Sequence, residues 1–123
     1  MEAFEHRFYT LKDVPGAFDN SVAENYIQHN ARILSGRGNL IEALSALFAS
    51  ADNTFDIKRL IVDRDTIGND IVVMHLEATN TSGNSSSKTT VVDMYRLQGT
   101  CIVEHWDVLQ EGSASAINPL AYF

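Results

Sequence analysis

Residues 70–97 read DIVVMHLEATNTSGNSSSKTTVVDMYRL, and this stretch decides the fold. Both of its ends are rich in β-branched residues and alternate in polarity, as expected for strands with one buried face. Its centre is rich in serine and asparagine and is predicted to form a flexible hairpin tip over Asn80–Ser87. The stretch therefore predicts an antiparallel hairpin with two strands, Asp70–Thr79 and Lys88–Leu97.

Further strands are predicted on both sides of this hairpin, and helices precede them. The strand pattern extends over Phe55–Asp65 and Cys101–Gln110. Apolar residues recur with helical spacing in three earlier segments, residues 4–11, 17–28 and 40–48, although β-branched residues leave the end of the second segment open. Helices followed by antiparallel strands indicate the α+β class, with helices on one face of a curved sheet. The length of 123 residues fits a single domain, residues 1–123.

Composition and charge exclude several classes of protein. Hydrophobic residues make up 45% of the chain and charged residues 20%, which is typical of a folded globular domain. The 16 acidic residues outnumber the 9 basic ones, which argues against nucleic acid or an anionic membrane surface as a partner. No apolar run approaches the ~20 residues of a bilayer span, and the N-terminus lacks a secretion signal. Together with the single cysteine, Cys101, these features predict a cytoplasmic protein.

The geometry of the hairpin predicts which side chains share a face. If the turn is centred on Asn84, His75 lies directly opposite Asp93, and opposed residues of paired strands point to the same face. The other face of the first strand is uniformly apolar: Val72, Met74, Leu76 and Ala78. Two interpretations stay open. Either the His75 face lies in water, or a second subunit covers it and a polar cavity forms there.

The next hairpin decides which residue of the last strand joins this row. A two-residue loop at Gln98-Gly99 would place Glu104 opposite Asp93. A three-residue loop with a bulge would shift the register by one and place His105 there instead. In either register, Asp93 has ionisable neighbours, and a neighbouring carboxylate would raise one carboxyl pKa by repulsion between like charges.

Three segments of the sequence resemble a known family. They read YIQHN at residues 26–30, VVDMYR at residues 91–96 and IVEHWDVLQ at residues 102–110. Together they resemble the SnoaL-like proteins of the nuclear transport factor 2-like superfamily, and the similarity covers nearly the whole chain. The resemblance implies a cone-shaped α+β fold in which N-terminal helices and a curved antiparallel sheet enclose a pocket. It also implies a homodimer formed through the sheet and chemistry without a cofactor.

The same resemblance suggests site residues. Asp93 matches the aspartic acid of ketosteroid isomerase that hydrogen-bonds the enolate oxygen, so Asp93 is expected to face the pocket together with His75. His29 falls where the isomerase carries its general base. The catalytic candidates are therefore Asp93, His75 and His29. The expected substrate contacts are Tyr26, Asn30, Glu104, Trp106 and Gln110, the last of which falls near the acid/base aspartate of the polyketide cyclases.

These observations predict a pocket protein that works without a cofactor. The favoured function is that of a lyase or isomerase, similar to a polyketide cyclase, which uses acid–base catalysis on a small hydrophobic carbonyl compound. The alternative is a non-catalytic module with the same fold that binds a small molecule or mediates dimerisation, since a fold does not by itself define a function. A metal site is not expected, because the histidines lack the spacing of paired metal ligands.

Overall fold

A computed structural model describes residues 1–118 and 120–123. The helical elements are α1 (Glu2–Glu5), a π-helix (His6–Thr10), α2 (Val14–Ser21) and α3 (Arg37–Ala49). The strands are β1 (Val22–Gln28), β2 (Asn53–Arg64), β3 (Asp70–Ser82), β4 (Ser85–Gln98) and β5 (Cys101–Glu111). Among the described residues, no helix is long and apolar enough to cross a membrane.

The strands form one curved, open sheet in the order β1-β5-β4-β3-β2. Neighbouring strands are antiparallel except for β1 and β5, which run parallel. The helices pack on one face of this sheet, which we call the inner face, and we call the opposite face the outer face. The predicted α+β class, with N-terminal helices on a curved sheet, is confirmed.

The core lies between the inner face and the helices. Val72, Met74 and Leu76 on β3 are at most 1% exposed, and they pack in one cluster with Val14 and Phe18 of α2. The apolar face of β3 therefore supplies the core, as its sequence pattern predicts. Burial of such side chains is the main source of stability in a domain of this size.

The helix predicted over residues 17–28 is wrong in its second half, because α2 ends at Ser21 and β1 follows directly. The buried residues Val22 and Tyr26 are four positions apart. That spacing fits one face of a helix and, because it is even, also one face of a strand. The start of α2 is well defined, since the Asp13 side chain accepts a hydrogen bond from the Gly16 amide at 3.0 Å.

The turn between β3 and β4 also differs from the prediction. The strands continue to Ser82 and Ser85, so the predicted loop over residues 80–87 shrinks to Gly83 and Asn84. Gly83 has a φ of +58°, a left-handed conformation that glycine adopts without steric cost. Because the turn has two residues, the register is shifted by one from the predicted register. The shift moves every side chain of β3 to the opposite face relative to β4.

The β4–β5 hairpin contains a bulge that sets the faces of β5. Leu97 pairs with Ile102, whereas Arg96 pairs with Glu104, so Val103 is the extra residue. Beyond the bulge, His105 lies opposite Tyr95 on the inner face, and Glu104 lies on the outer face. Of the two registers considered from the sequence, the one with a bulge therefore gives the correct face for His105.

Candidate active site

A cavity of about 310 Å³ lies between the helices and the inner face of the sheet. Its wall is mostly aliphatic and aromatic, and the phenylalanines that line it are Phe4, Phe8, Phe18, Phe48 and Phe55. Polar side chains enter the cavity from the sheet, among them Asp93, His105 and Asp107. An apolar cavity with a few convergent polar groups is the usual form of a small-molecule site.

Asp93 and His105 form a buried pair at the polar end of this cavity. Each residue is 7% exposed, and His105 Nε2 lies 3.0 Å from Asp93 Oδ1. The imidazole also stacks on the Tyr95 ring, with centroids 4.7 Å apart and an angle of 23° between the planes. Packing and hydrogen bonding therefore fix the pair in one orientation, as required of a group that holds and transfers a proton.

Two buried tyrosines extend this network. The Tyr9 hydroxyl donates to Asp93 Oδ2 at 2.5 Å and lies 2.8 Å from the Tyr95 hydroxyl. Because Tyr9 has one hydroxyl proton and donates it to Asp93, Tyr95 must donate to Tyr9. Burial, together with the negative charge of Asp93, raises the pKa of both tyrosines well above the usual value. Both hydroxyls therefore stay protonated and remain donors.

Tyr9 reaches the sheet because of the π-helix in which it lies. Phe8 and its neighbour Tyr9 are 4% and 6% exposed, so two consecutive side chains point into the core. A π-helix has a wider turn than an α-helix, and such segments often occur at functional sites. The helical spacing of the N-terminal segment indicated Phe8 but gave no reason to expect Tyr9 beside it.

A second polar group lies next to the Asp93–His105 pair. Asp107 pairs with Asp93 across β4 and β5, and its Oδ2 accepts a hydrogen bond from Asn30 Nδ2 at 2.5 Å. Burial raises the pKa of Tyr26, and the charges of both aspartates add to the effect. No side chain among the described residues hydrogen-bonds the Tyr26 hydroxyl, although the residue is only 4% exposed and lines the cavity. This hydroxyl can therefore donate to an oxygen atom of a ligand.

The same residues include three potential metal ligands. Donor atoms of Asp93, His105 and Asp107 lie within 4.8 Å of one another, and β4 and β5 bring them together from separate strands. Imidazole nitrogen and carboxylate oxygen suit several divalent metals. In this structure Asp93 and His105 are hydrogen-bonded to each other, so a metal ion bound here would take the place of the proton between them.

Three of the predicted site residues lie on the outer face instead of in the cavity: His29, Glu104 and Trp106. His29 Nε2 is 2.8 Å from Glu104 Oε1, and the His29 ring stacks on Trp106 with centroids 4.9 Å apart. Burial opposes ionisation of Glu104, but hydrogen bonds from His29 and Arg96 outweigh it and lower the pKa of this carboxyl. The bulge at Val103 explains why Glu104 and Trp106 point away from the cavity, since an unbulged β5 would turn both inward.

Two more of the predicted site residues, His75 and Gln110, also lie outside the cavity. His75 pairs with Val92 rather than with Asp93, and its Nδ1 lies 2.7 Å from an Arg59 guanidinium nitrogen. The predicted contact between His75 and Asp93 is therefore wrong, because the two-residue turn shifts the register. Gln110 is exposed on the outer face at the end of β5. Asp93, Tyr26 and Asn30 are the predicted site residues that line the cavity.

Residues that the sequence did not single out complete the site. Gln28 and Asp107 both lie in the segments that carry the family resemblance, but neither was assigned a role. Gln28 is 6% exposed, which is unusual for a glutamine, and it pairs with His105 between β1 and β5. A prediction of β1 as a strand would have placed Tyr26 and Gln28 on the same face.

Comparison with known proteins defines the fold. No family model matches the sequence, and no curated protein sequence matches it either. Several solved structures do match over most of the chain. A candidate polyketide cyclase from Acidithiobacillus ferrooxidans is 21% identical with a TM-score of 0.67, and the match covers 88% of this chain and 83% of that one.

Two further structures agree with this result. A candidate polyketide cyclase from Bacillus cereus is 20% identical with a TM-score of 0.69, and the match covers 86% of this chain and 71% of that one. A nuclear transport factor 2-like protein of unknown function from Cytophaga hutchinsonii is 12% identical with a TM-score of 0.69, over 89% and 95% of the two chains. The chain therefore has the nuclear transport factor 2-like fold, and the fold expected from the sequence resemblance is confirmed.

Proposed function

We propose that this protein is an acid–base catalyst that removes a proton from the carbon next to the carbonyl group of a small hydrophobic compound. Isomerisation, elimination and ring closure can all begin with this step. The observation that carries the proposal is the convergence of Asp93, His105 and Asp107 at the polar end of an apolar cavity. Solved structures with this fold that are described as candidate polyketide cyclases support the same class of reaction.

The contacts of each polar group suggest its role. Asp107 has one oxygen held by Asn30, so the carboxylate is oriented and its other oxygen can accept a proton from carbon. The Tyr26 hydroxyl, kept neutral by its raised pKa, donates to the carbonyl oxygen as negative charge develops there. The Asp93–His105 pair then supplies a proton to that oxygen or to a second carbon. Each proton removed from the substrate is thus balanced by one returned to it.

The cavity selects the substrate by its apolar wall. Its volume of about 310 Å³ suits a compound with one or two rings, and phenylalanine side chains would cover the faces of such rings. Removal of water from the site strengthens the hydrogen bond to the carbonyl oxygen, because the local dielectric constant is low. The substrate class is therefore an apolar cyclic or aryl ketone.

Exchange of hydrogen for deuterium tests the proposal without knowledge of the natural substrate. A panel of cyclic and aryl ketones is incubated with the protein in deuterated buffer, and mass spectrometry measures deuterium gained beside the carbonyl group. We expect exchange with the wild type and a loss of ~10²–10⁴-fold in Asp107→Asn and Asp93→Asn, the usual contribution of a positioned acid or base. His75→Gln is the matched control, since this histidine lies on the outer face.

Two results would contradict this proposal. Equal exchange rates in the wild type and both aspartate variants would remove these carboxylates from the reaction. Exchange that disappears with a chelator and returns with added manganese would show that a metal ion, rather than the shared proton, activates the substrate. The metal ligands would then be the same three residues.

The phenylalanine lining also fits a second function, that of a binding protein without catalysis. The polar groups would then orient a bound ring compound through hydrogen bonds and leave it unchanged. A ketone that shifts protein resonances from cavity residues but shows no exchange in deuterated buffer would favour this function. A ligand retained from the expression host, identified by mass spectrometry, would name the compound.

We also propose that two copies of the chain pair through the outer face. Ile61, Val73, Met94 and Trp106 form one apolar row across four strands of that face. Val108 lies beside the row and is 59% exposed. A row of this kind is typical of an interface between subunits. Light scattering should show a dimer, and Val108→Glu should shift it towards the monomer, whereas a monomeric wild type at micromolar concentration would contradict the pairing.

A further inference from the structure

Gln28 stands out as a buried polar residue that the proposed reaction does not itself use. Its side-chain oxygen Oε1 lies 3.0 Å from His105 Nδ1, 2.9 Å from the His29 amide nitrogen and 3.3 Å from the Asn30 amide nitrogen. Two of these three neighbours are backbone N–H groups, which can only donate. The atom facing them must therefore be the amide oxygen, because the amide nitrogen would oppose two donors.

This assignment fixes the ring nitrogen of His105 that carries a proton. An amide oxygen can only accept, so Nδ1 of His105 must be protonated and must donate to Gln28. On the other side of the ring, Nε2 lies 3.0 Å from a carboxylate oxygen of Asp93. A lone pair facing a carboxylate at that distance would be repelled, so a further proton lies between the two atoms.

We propose that Gln28 is a positioning residue that locks His105 with its proton on Nδ1 and thereby keeps a transferable proton between Nε2 and Asp93. The pair is then neutral overall, either as imidazolium and carboxylate or as imidazole and carboxylic acid. A neutral pair explains how Asp93 is buried beside Asp107 without two adjacent negative charges. Without Gln28, the neutral imidazole would carry its one proton on Nε2 and donate it to the Asp93 carboxylate, so the pair would have a net negative charge and transfer of that proton would leave an imidazolate anion.

The backbone of β1 makes this lock rigid. The two amide donors belong to the residues that directly follow Gln28, so the end of the strand itself holds the side chain. The backbone N–H of Gln28 donates to Ser35 Oγ at 3.0 Å, which anchors the main chain of the same residue. Ser35→Ala is therefore a matched control, because it removes a hydrogen bond of Gln28 without altering the side-chain oxygen.

Nitrogen NMR on the full-length protein tests the proposal directly. Long-range proton–nitrogen correlation distinguishes protonated from unprotonated ring nitrogens, and the His105→Gln variant assigns the signals among the four histidines. We expect Nδ1 of His105 to be protonated in the wild type, in Ser35→Ala and in Gln28→Glu, whose carboxylate also accepts from Nδ1. In Gln28→Met we expect an unprotonated Nδ1, and the exchange of ketone hydrogens should fall by about 10²-fold, as for loss of a positioned acid.

The role of Gln28 rests on the proposed function, but the protonation of His105 Nδ1 and the exchange reaction are tested by separate measurements. An unprotonated Nδ1 in the wild type, or an Nδ1 that stays protonated and unchanged in Gln28→Met, would overturn the lock whatever the protein catalyses. If Gln28→Met does not fold, the wild-type spectrum and the retained Nδ1 proton in Gln28→Glu still decide the question. A protonated Nδ1 in a wild type without exchange activity would uphold the lock and reject the reaction.

Discussion

Replacement of Asp93 by asparagine separates a role in proton transfer from a role in stability. In Asp93→Asn, the amide oxygen can accept from the Tyr9 hydroxyl and the amide nitrogen can donate to His105 Nε2. The second bond forms because Nε2 has a free lone pair when the ring proton is on Nδ1. Both neighbours of Asp93 therefore keep a partner. We expect the free energy of unfolding to change by about 1 kcal/mol, the net contribution of one hydrogen bond.

Asp93→Leu gives the contrast in stability. Leucine has a similar volume but offers no acceptor, so one hydroxyl of the Tyr9–Tyr95 pair and one ring nitrogen of His105 lose their partners in a buried site. An unsatisfied buried polar group costs about 1–3 kcal/mol, so this variant should lose about 2–6 kcal/mol. Urea denaturation measures both values, provided that the dependence of stability on urea concentration is the same in all variants.

The activity of Asp93→Asn should fall much more than its stability. The amide of Asp93→Asn cannot hold the proton that the carboxylate shares with His105, so exchange at the ketone should fall by ~10²–10⁴-fold despite near-normal stability. A stability loss in Asp93→Asn as large as that in Asp93→Leu would show that His105 is held as a cation that only a carboxylate can balance. That result would contradict the expectation that Nε2 of His105 is unprotonated in Asp93→Asn and accepts a hydrogen bond from the new amide.

Further predictions concern pH and register. Although burial opposes ionisation of Glu104, its hydrogen bonds lower its pKa in the folded chain, so its contribution is complete above about pH 4.3 and is lost as pH falls through the folded pKa. Glu104→Gln should therefore weaken the fold at neutral pH, with a difference that closes in acid; an equal loss at all pH values would contradict this. Burial raises the pKa of Tyr9, Tyr26 and Tyr95, so their stabilising effect is complete below about pH 10 and declines above it. Their phenolate absorbance should appear only as the circular dichroism signal is lost. Deletion of Val103 should keep a cooperative thermal transition, because it removes the extra residue and leaves Ile102 and Glu104 opposite Leu97 and Arg96; loss of the transition would contradict the assignment of Val103 as the extra residue of the bulge.

The fold was predictable because its signals are repeated along each element. The apolar positions of β3 alternate over the whole strand, and those of α3 keep helical spacing over several turns, so single exceptions do not change the prediction. The boundary between α2 and β1 was not predictable in the same way. There, the even spacing of Val22 and Tyr26 satisfies both periods, and only contact with β5 decides between them.

The site was less predictable because it depends on single residues in turns. One residue fewer in the β3–β4 turn moves His75 to the outer face, and one extra residue at Val103 turns His105 inward. Both changes replace one histidine beside Asp93 with another, so the predicted pair of acid and imidazole exists, but with a different partner. Tyr9 was not predicted as a site residue because it lies in a π-helix, for which the periodicity of the sequence gives no signal.

The arrangement of charges in the cavity explains why two aspartates can lie side by side in an apolar enclosure. Asp107 carries the one net charge if the Asp93–His105 pair is neutral, and Asn30 stabilises that charge with a hydrogen bond. When Asp107 takes a proton from the substrate, negative charge moves to the carbonyl oxygen beside Tyr26. When the pair gives its proton to that oxygen, the charge returns to the carboxylates. The net charge of the enclosed site is therefore constant through the reaction. In a medium of low dielectric constant, a step that only moves charge costs far less than one that creates it.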